Sequence, residues 1–394
     1  MATFPVKWYA SDMQGAPNLG DTAAGALAAL LKAVLVTGFG TLTVNSLVWD
    51  ATENAAKATI AAGHAYKQDS VIEVGGASPA AYNGEHRVKK VSTTEVWFEL
   101  DGGNPGIAAG GTLTMKVAPL GWTLTHESAD GMVAIYRPTD VSASGNVSLR
   151  IDNTAFSGWT ASNWMYLAKA QLVEDVVDIN TFTTIYEHRW PATKRYSDGR
   201  WDLIGDPQLF YFLPAFAGQN YQAMFAFGYL KSVRPGDRYH AILMHYSTTN
   251  TSDSARRWDQ SGGSYYVYSN ALAFEDSGHR VMARPYHQLF GTVGWWIKGL
   301  FGRFGNGISV PNGPDNGFYI STDPVMVMET NNHLRGYLPG LVCPFGSINA
   351  WHRKNFGNLP ALPGKLTRFV FAAFNEYTSN GPTMVGFDLI GPWR

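Results

Sequence analysis

A single cysteine, Cys343, stands among 394 residues. It has no partner for an internal disulfide and cannot build a thiolate zinc site, so apolar burial and hydrogen bonding must hold the fold. It sits in Leu341-Val-Cys-Pro-Phe345 and reads as a buried apolar residue. Charge is also scarce: Asp, Glu, Lys and Arg make up 15% of the chain, against about 25% in an ordinary soluble protein. The formal net charge of −1 leaves no basic excess to neutralise a phosphate backbone, which argues against nucleic-acid binding as the main activity. The longest apolar run, near 23–36, is too short to span a bilayer, so no membrane insertion is expected. Residues 1–8 lack a basic stretch followed by an apolar core, so no signal peptide is expected. There is no Walker loop, no Gly-x-Ser-x-Gly and no His-Glu-x-x-His. The absence of a fixed repeat of about 20–50 residues excludes a solenoid or propeller.

What the chain has in abundance is aromatic side chains, with 13 Trp, 19 Tyr and 21 Phe, and 42 glycines. That composition excludes disorder and a coiled coil. Low charge with many aromatics suggests a surface largely covered by partners. One helix is expected, with its body at 23–36, Asp21 or Thr22 as cap and Gly38 or Gly40 as terminator. Leu27, Leu30, Leu31, Val34 and Leu35 follow the three-and-four spacing of a buried face. Short strands follow at 46–49, 57–61, 70–74, 86–91, 95–100 and 112–117, separated by turn residues such as Asn83-Gly84 and Asp101-Gly102-Gly103. Pro119-Leu-Gly-Trp122 marks a boundary, and strands continue beyond it to the end, including 238–245 and 264–268.

The fold class is therefore mainly β. Residues 1–118 would form an N-terminal helix plus a small antiparallel β-barrel or sandwich domain. Residues 119–394 would form a larger antiparallel, β-rich, sandwich-like body. Two stretches are less regular: 248–263 reads as a polar exposed loop. The glycine-rich 288–314, which contains Gly302–Gly307, reads as a mobile or interface-seeking loop.

No catalytic, cofactor or metal residue is nominated. His240 and His245, five apart on an expected strand, point to opposite faces and cannot share one metal without a bulge. His279 and His287 flank Arg280, Arg284 and Tyr286, where surface and interface packing is favoured over a ligand or anion site. Glu174 with Asp175 and Asp178, Asp202 with Asp206, and Glu275 with Asp276 each fit a turn or a solvated edge; a glycosidase pair would need a defined carboxyl separation. Tyr265-Tyr266-Val-Tyr268, Phe210-Tyr211-Phe212 and Trp295-Trp296 read as core or subunit interface, with a sugar-stacking platform as the alternative. Trp8 and Tyr9, then Trp295 and Trp296, are the candidate interface residues.

Several stretches together carry a resemblance. They are Lys7-Trp-Tyr-Ala-Ser-Asp-Met-Gln-Gly-Ala-Pro17, Gly38-Phe-Gly40, Gly63-His-Ala-Tyr-Lys-Gln-Asp-Ser-Val71 and Tyr82-Asn-Gly-Glu-His-Arg-Val88. Val96-Trp-Phe98, Leu149-Arg-Ile-Asp-Asn153, Arg335-Gly-Tyr-Leu-Pro-Gly340 and Asp388-Leu-Ile-Gly-Pro-Trp-Arg394 complete the set. The arrangement resembles tailed-bacteriophage and prophage virion structural proteins. The resemblance implies a multi-copy, tail-associated virion component, made in the host cytoplasm. Its partners would be further copies of itself and other tail proteins, with no enzyme activity, cofactor or nucleic acid. Its rivals are a receptor-binding protein for host surface glycan, a capsid-decorating protein and a polysaccharide depolymerase.

Overall fold

A computed structural model describes residues 4–20, 24–140, 145–155, 160–162, 165–193, 199–216, 221–245, 280–298, 308–346, 348–374 and 383–394. The chain is mainly β, with three antiparallel sheets and one short N-terminal helix. The expected features at 248–263, 264–268, 275–276, 279 and 302–307, and the caps Asp21 and Thr22, lie outside the described residues.

The first sheet runs Phe39–Thr43, Thr114–Val117, Val71–Gly75, Gly84–Val91, Glu95–Phe98, Ala55–Thr59, Ser46–Asp50. Its two edge strands are consecutive in sequence. Val44 N donates to Leu113 O at 3.0 Å, and Asn45 N donates to Thr59 O at 2.8 Å. The connection thus touches both edges, and the sheet curls back towards itself. Leu47, Ala56, Ala58, Ile72, Val74, Val88, Val96, Phe98, Met115 and Val117 point inward with the period of two that a half-buried sheet demands.

The helix is Ala26–Lys32, extended by a π-helical turn at Ala33–Thr37. Its leucines are buried as their spacing requires. Its ends are satisfied from a distance. Asn153 Oδ1 accepts from Leu27 N at 2.9 Å. At the other end Leu120 N donates to Val34 O at 2.9 Å, and Gly121 and Trp122 N donate to Leu35 O at 3.0 and 2.9 Å. The 119–122 boundary is therefore also the helix's C-terminal clasp.

The second sheet runs Thr160–Ser162, Met165–Glu174, Ser148–Asp152, Val133–Arg137, Thr123–Glu127, with Thr183–Pro191 on the other side of Met165–Glu174. The third contains the rest: Lys231–Ser232, Leu334–Leu338, Val325–Glu329, Val293–Lys298, Arg280–Met282, Ala241–Met244, Phe225–Tyr229, Leu209–Phe216, Tyr221–Ala223, Leu362–Phe374, Thr383–Asp388, Leu341–Pro344 and Ile320–Ser321. Trp201–Gly205 joins it along Leu209–Phe216, and Lys354–Leu359 along Leu362–Phe374.

The helix and the first sheet lie within 1–118, and one strand of that span pairs beyond it. The strand Lys7–Ala10 pairs with Trp201–Gly205, Trp8 opposite Ile204 and Tyr9 opposite Leu203, so the start of the chain belongs to the third sheet. Residues 119–394 hold the second sheet and the remainder of the third. One continuous apolar core runs from Val6 through the helix and all three sheets to Trp393. The stretch 288–314 is not wholly a loop either, because Val293–Lys298 is a strand between Arg280–Met282 and Val325–Glu329. Among the described residues no helix is long and apolar enough to cross a membrane.

Candidate interaction surface

Three connections meet at one end of the third sheet: 233–240, 283–292 and 330–333. Beneath them lies a buried ionic centre. Arg335, 0% exposed, comes from Leu334–Leu338 and grips Asp237 with two parallel bonds, Nε to Oδ2 at 2.7 Å and Nη2 to Oδ1 at 2.8 Å. Its Nη1 reaches Glu329 Oε1 at 2.6 Å and the carbonyl of Arg284 at 2.9 Å. Ser232 Oγ donates to Asp237 Oδ2 at 2.7 Å, and Gln288 Nε2 donates to Oδ1 at 2.9 Å. Burial alone would raise the Asp237 carboxyl. The neighbouring His240, the Arg335 guanidinium and the Ser232 hydroxyl outweigh it and hold the carboxyl far below the usual carboxylate range. A forked guanidinium suits this planar, two-point grip in a way an ammonium does not.

The centre anchors the 283–292 connection. Gln288 is bound to Asp237, and the Arg284 carbonyl to Arg335. The Arg284 side chain pairs with Glu174 of the second sheet, Nη2 to Oε1 and Oε2 at 2.6 and 2.8 Å, and lies 3.8 Å over the Tyr239 ring. The tip of the connection faces solvent: Leu289 is 68% exposed and Phe290 76%. Tyr286 on the same connection, Val233 on a neighbouring one and Leu334 at the start of its strand are also exposed, and the Tyr286 ring sits 4.5 Å from that of His333. Large apolar groups thus stand outward on a connection fixed by buried charge, the form expected of a contact surface.

The nominated interface residues lie elsewhere, and three need correction. Trp8, Tyr9 and Trp295 are enclosed by this chain's own core. Trp8 Nε1 donates to Asp69 O at 3.0 Å, and its ring lies 4.0 Å under the Arg368 guanidinium. Tyr9 Oη donates to Ala118 O at 2.9 Å, and Trp295 Nε1 to Val281 O at 3.1 Å. Strand alternation turns Trp296 the other way, opposite Met328, where it is half-buried.

Of the arginines flanked by His279 and His287, Arg284 holds Glu174 and Arg280 is buried. The carboxylates do not all lie on solvated edges. Asp202 is buried, with Arg368 Nη2 at 2.6 Å and Arg353 Nε at 2.9 Å. Asp206 is buried against Arg394 Nη2 at 3.0 Å. His240 and His245 part company, the first beside the Tyr229 ring at 5.0 Å, the second beside the His188 ring at 4.2 Å.

A second aromatic group lies outside the main core. The Trp351 ring is 4.5 Å from that of Phe318, 4.4 Å from Phe356 and 5.1 Å from Phe369. These rings cover one another, which suits packing better than stacking on a sugar.

Sequence reading missed Leu289, Phe290, Asp237 and Arg335 as a unit. Leu289 and Phe290 fall at the start of the stretch read as interface-seeking, but nothing in the chain order couples them to residues 237 and 335.

No protein-family model matches the chain, and no curated protein matches it.

Proposed function

We propose that the chain is a structural subunit of a tailed-bacteriophage virion, associated with the tail and present in several copies. It works by assembly, burying preformed surfaces against copies of itself and neighbouring tail proteins, with no catalytic step or cofactor. The helix and the first sheet serve as the docking part, and the rest as the outward body. The resemblance of the motifs quoted above supports the virion class. The observation that carries the assembly reading is the exposed pair Leu289 and Phe290 on a connection pinned by Arg335 and Asp237. Such a surface is ordered before contact, so little conformational freedom is lost on binding.

Antibody raised against the purified chain should decorate the tails of particles released from the strain that carries the gene. Particles that label on the head, or not at all, overturn the tail assignment.

A further inference from the structure

The 283–292 connection has an oppositely charged neighbour. Residues 175–182 link Met165–Glu174 to Thr183–Pro191 and expose Asp175, Asp178 and Val177, the last at 70%. This connection is also stiff. The Asp178 carboxylate accepts from Asn180 N at 2.7 Å, Thr181 N at 2.8 Å and Thr181 Oγ1 at 3.0 Å. Arg150 donates to Ile179 O at 3.3 Å and lies 4.9 Å over the Phe182 ring. The Glu174–Arg284 ion pair fastens the root of one connection to the root of the other.

The roots of the two connections are thus held together, while the side chains the connections expose differ in charge. Around Val177 the charge is acidic. On the adjoining 231–240 segment the exposed charges are basic, Lys231 and Arg238. The carboxylates of Asp237 and Glu329 are both buried on Arg335. A two-fold axis between the tips turns the acidic tip of each copy onto the basic tip of the other, so every contact is made twice. A ring or filament needs its complementary patches on different sides of the subunit, which adjacent tips do not supply.

We infer that two copies of this chain pair about a two-fold axis through these tips, with Val177 and its flanking aspartates seated on Leu289 and Phe290 of the second copy. The inference rests on the reading of the chain as an assembling subunit and adds where and with what symmetry it first associates. Unlike charges steer the approach, and the apolar tips supply the buried area.

Sedimentation velocity of the full chain tests it. At about 50 µM, above the micromolar dissociation constants of weak specific pairs, the parent chain should be a dimer that weakens as salt rises. Val177→Lys, and separately Leu289→Ser with Phe290→Ser, should each raise the dissociation constant by about tenfold or more. Both alter exposed side chains and leave circular dichroism unchanged. Mixing the two variants restores one of the two contacts, so the mixed pair should be tighter than either variant alone. A parent chain that stays monomeric, forms another order of oligomer, or pairs equally well in both variants overturns the inference. A monomer that instead binds vesicles of anionic lipid through Phe290 would assign the tip to a membrane. Tail labelling by antibody that persists while dimerisation fails removes this contact and leaves the virion reading standing.

Discussion

The side-chain oxygen of Asn153 lies 2.9 Å from the backbone nitrogen of Leu27, across 126 positions of sequence. It also accepts from Ala28 N at 3.4 Å, and the Asn153 carbonyl accepts from Gly25 N at 3.3 Å. A residue at the end of a strand in the second sheet thus caps the helix. Asn153→Ala removes that acceptor from a buried site. It should cost about 1–3 kcal/mol, read from urea unfolding. A loss below about 0.5 kcal/mol would show that the cap contributes little.

Arg335 should be the least replaceable cation in the third sheet. Arg335→Ala leaves Asp237 and Glu329 buried without their counter-charge, at an expected cost of about 3–5 kcal/mol. Arg335→Lys should recover part of this, because an ammonium lacks the two-pronged grip. Limited proteolysis should cut the alanine variant within 283–292 sooner than the parent.

Acid should act in two windows. Burial, reinforced by the neighbouring arginines, lowers the His352 imidazole from 6.5 to about 4, against the opposing pull of Asp202. Its Nδ1 accepts from Phe371 N at 3.1 Å, and its ring stacks on Phe371 at 4.2 Å. A base held neutral in the fold contributes stability that is complete above about pH 6.5 and is lost as pH falls towards about 4. That share is at most about 3 kcal/mol. The Asp237 carboxyl is lowered, so its contribution is complete above about pH 4 and is lost only in stronger acid. A proton NMR titration should show the His352 ring unchanged between pH 7 and 5. Protonation near 6.5 would refute the assignment.

Gly340 lies against the indole of Trp393. A methyl group there would meet the ring at 2.1 Å, and the backbone sits at φ 78°. Gly340→Ala should therefore destabilise by about 2–4 kcal/mol through overpacking and an unfavourable dihedral. Trp393→Leu in the same chain should relieve part of the loss, and a double-mutant cycle measures the coupling.

Much of the fold was legible because it rests on local pattern. The leucine spacing of 27–35 produced the helix, and alternation produced most strands of the first sheet, although Phe39–Thr43 was missed next to glycines 38 and 40. Stretches far apart in sequence also meet in space. Gly15 and Gly40 touch, Gly340 touches Trp393, and Arg87 donates to Leu389 O at 2.9 Å. What stayed hidden depends on pairing over long separations. A tryptophan near the start of the chain looks like a contact residue until distant partners enclose it, as Asp69 and Arg368 do for Trp8, whose strand pairs with Ile204, 196 positions on. Asp237 and Arg335 are 98 positions apart, and each alone looks like an ordinary turn or strand residue.

The strand Lys7–Ala10, paired with Trp201–Gly205, has a consequence for synthesis. At the ribosome's ordinary pace of about 5–20 residues per second, Lys7–Ala10 emerges about 10–40 s before its partner exists. All strands of the first sheet emerge within that wait, so that sheet can form while Trp8 and Tyr9 remain bare. A message broken before the codon for Gly205 would therefore release a polypeptide in which Trp8 and Tyr9 lack their full partner strand. The pairing of these two strands thus separates a finished chain from an aborted one.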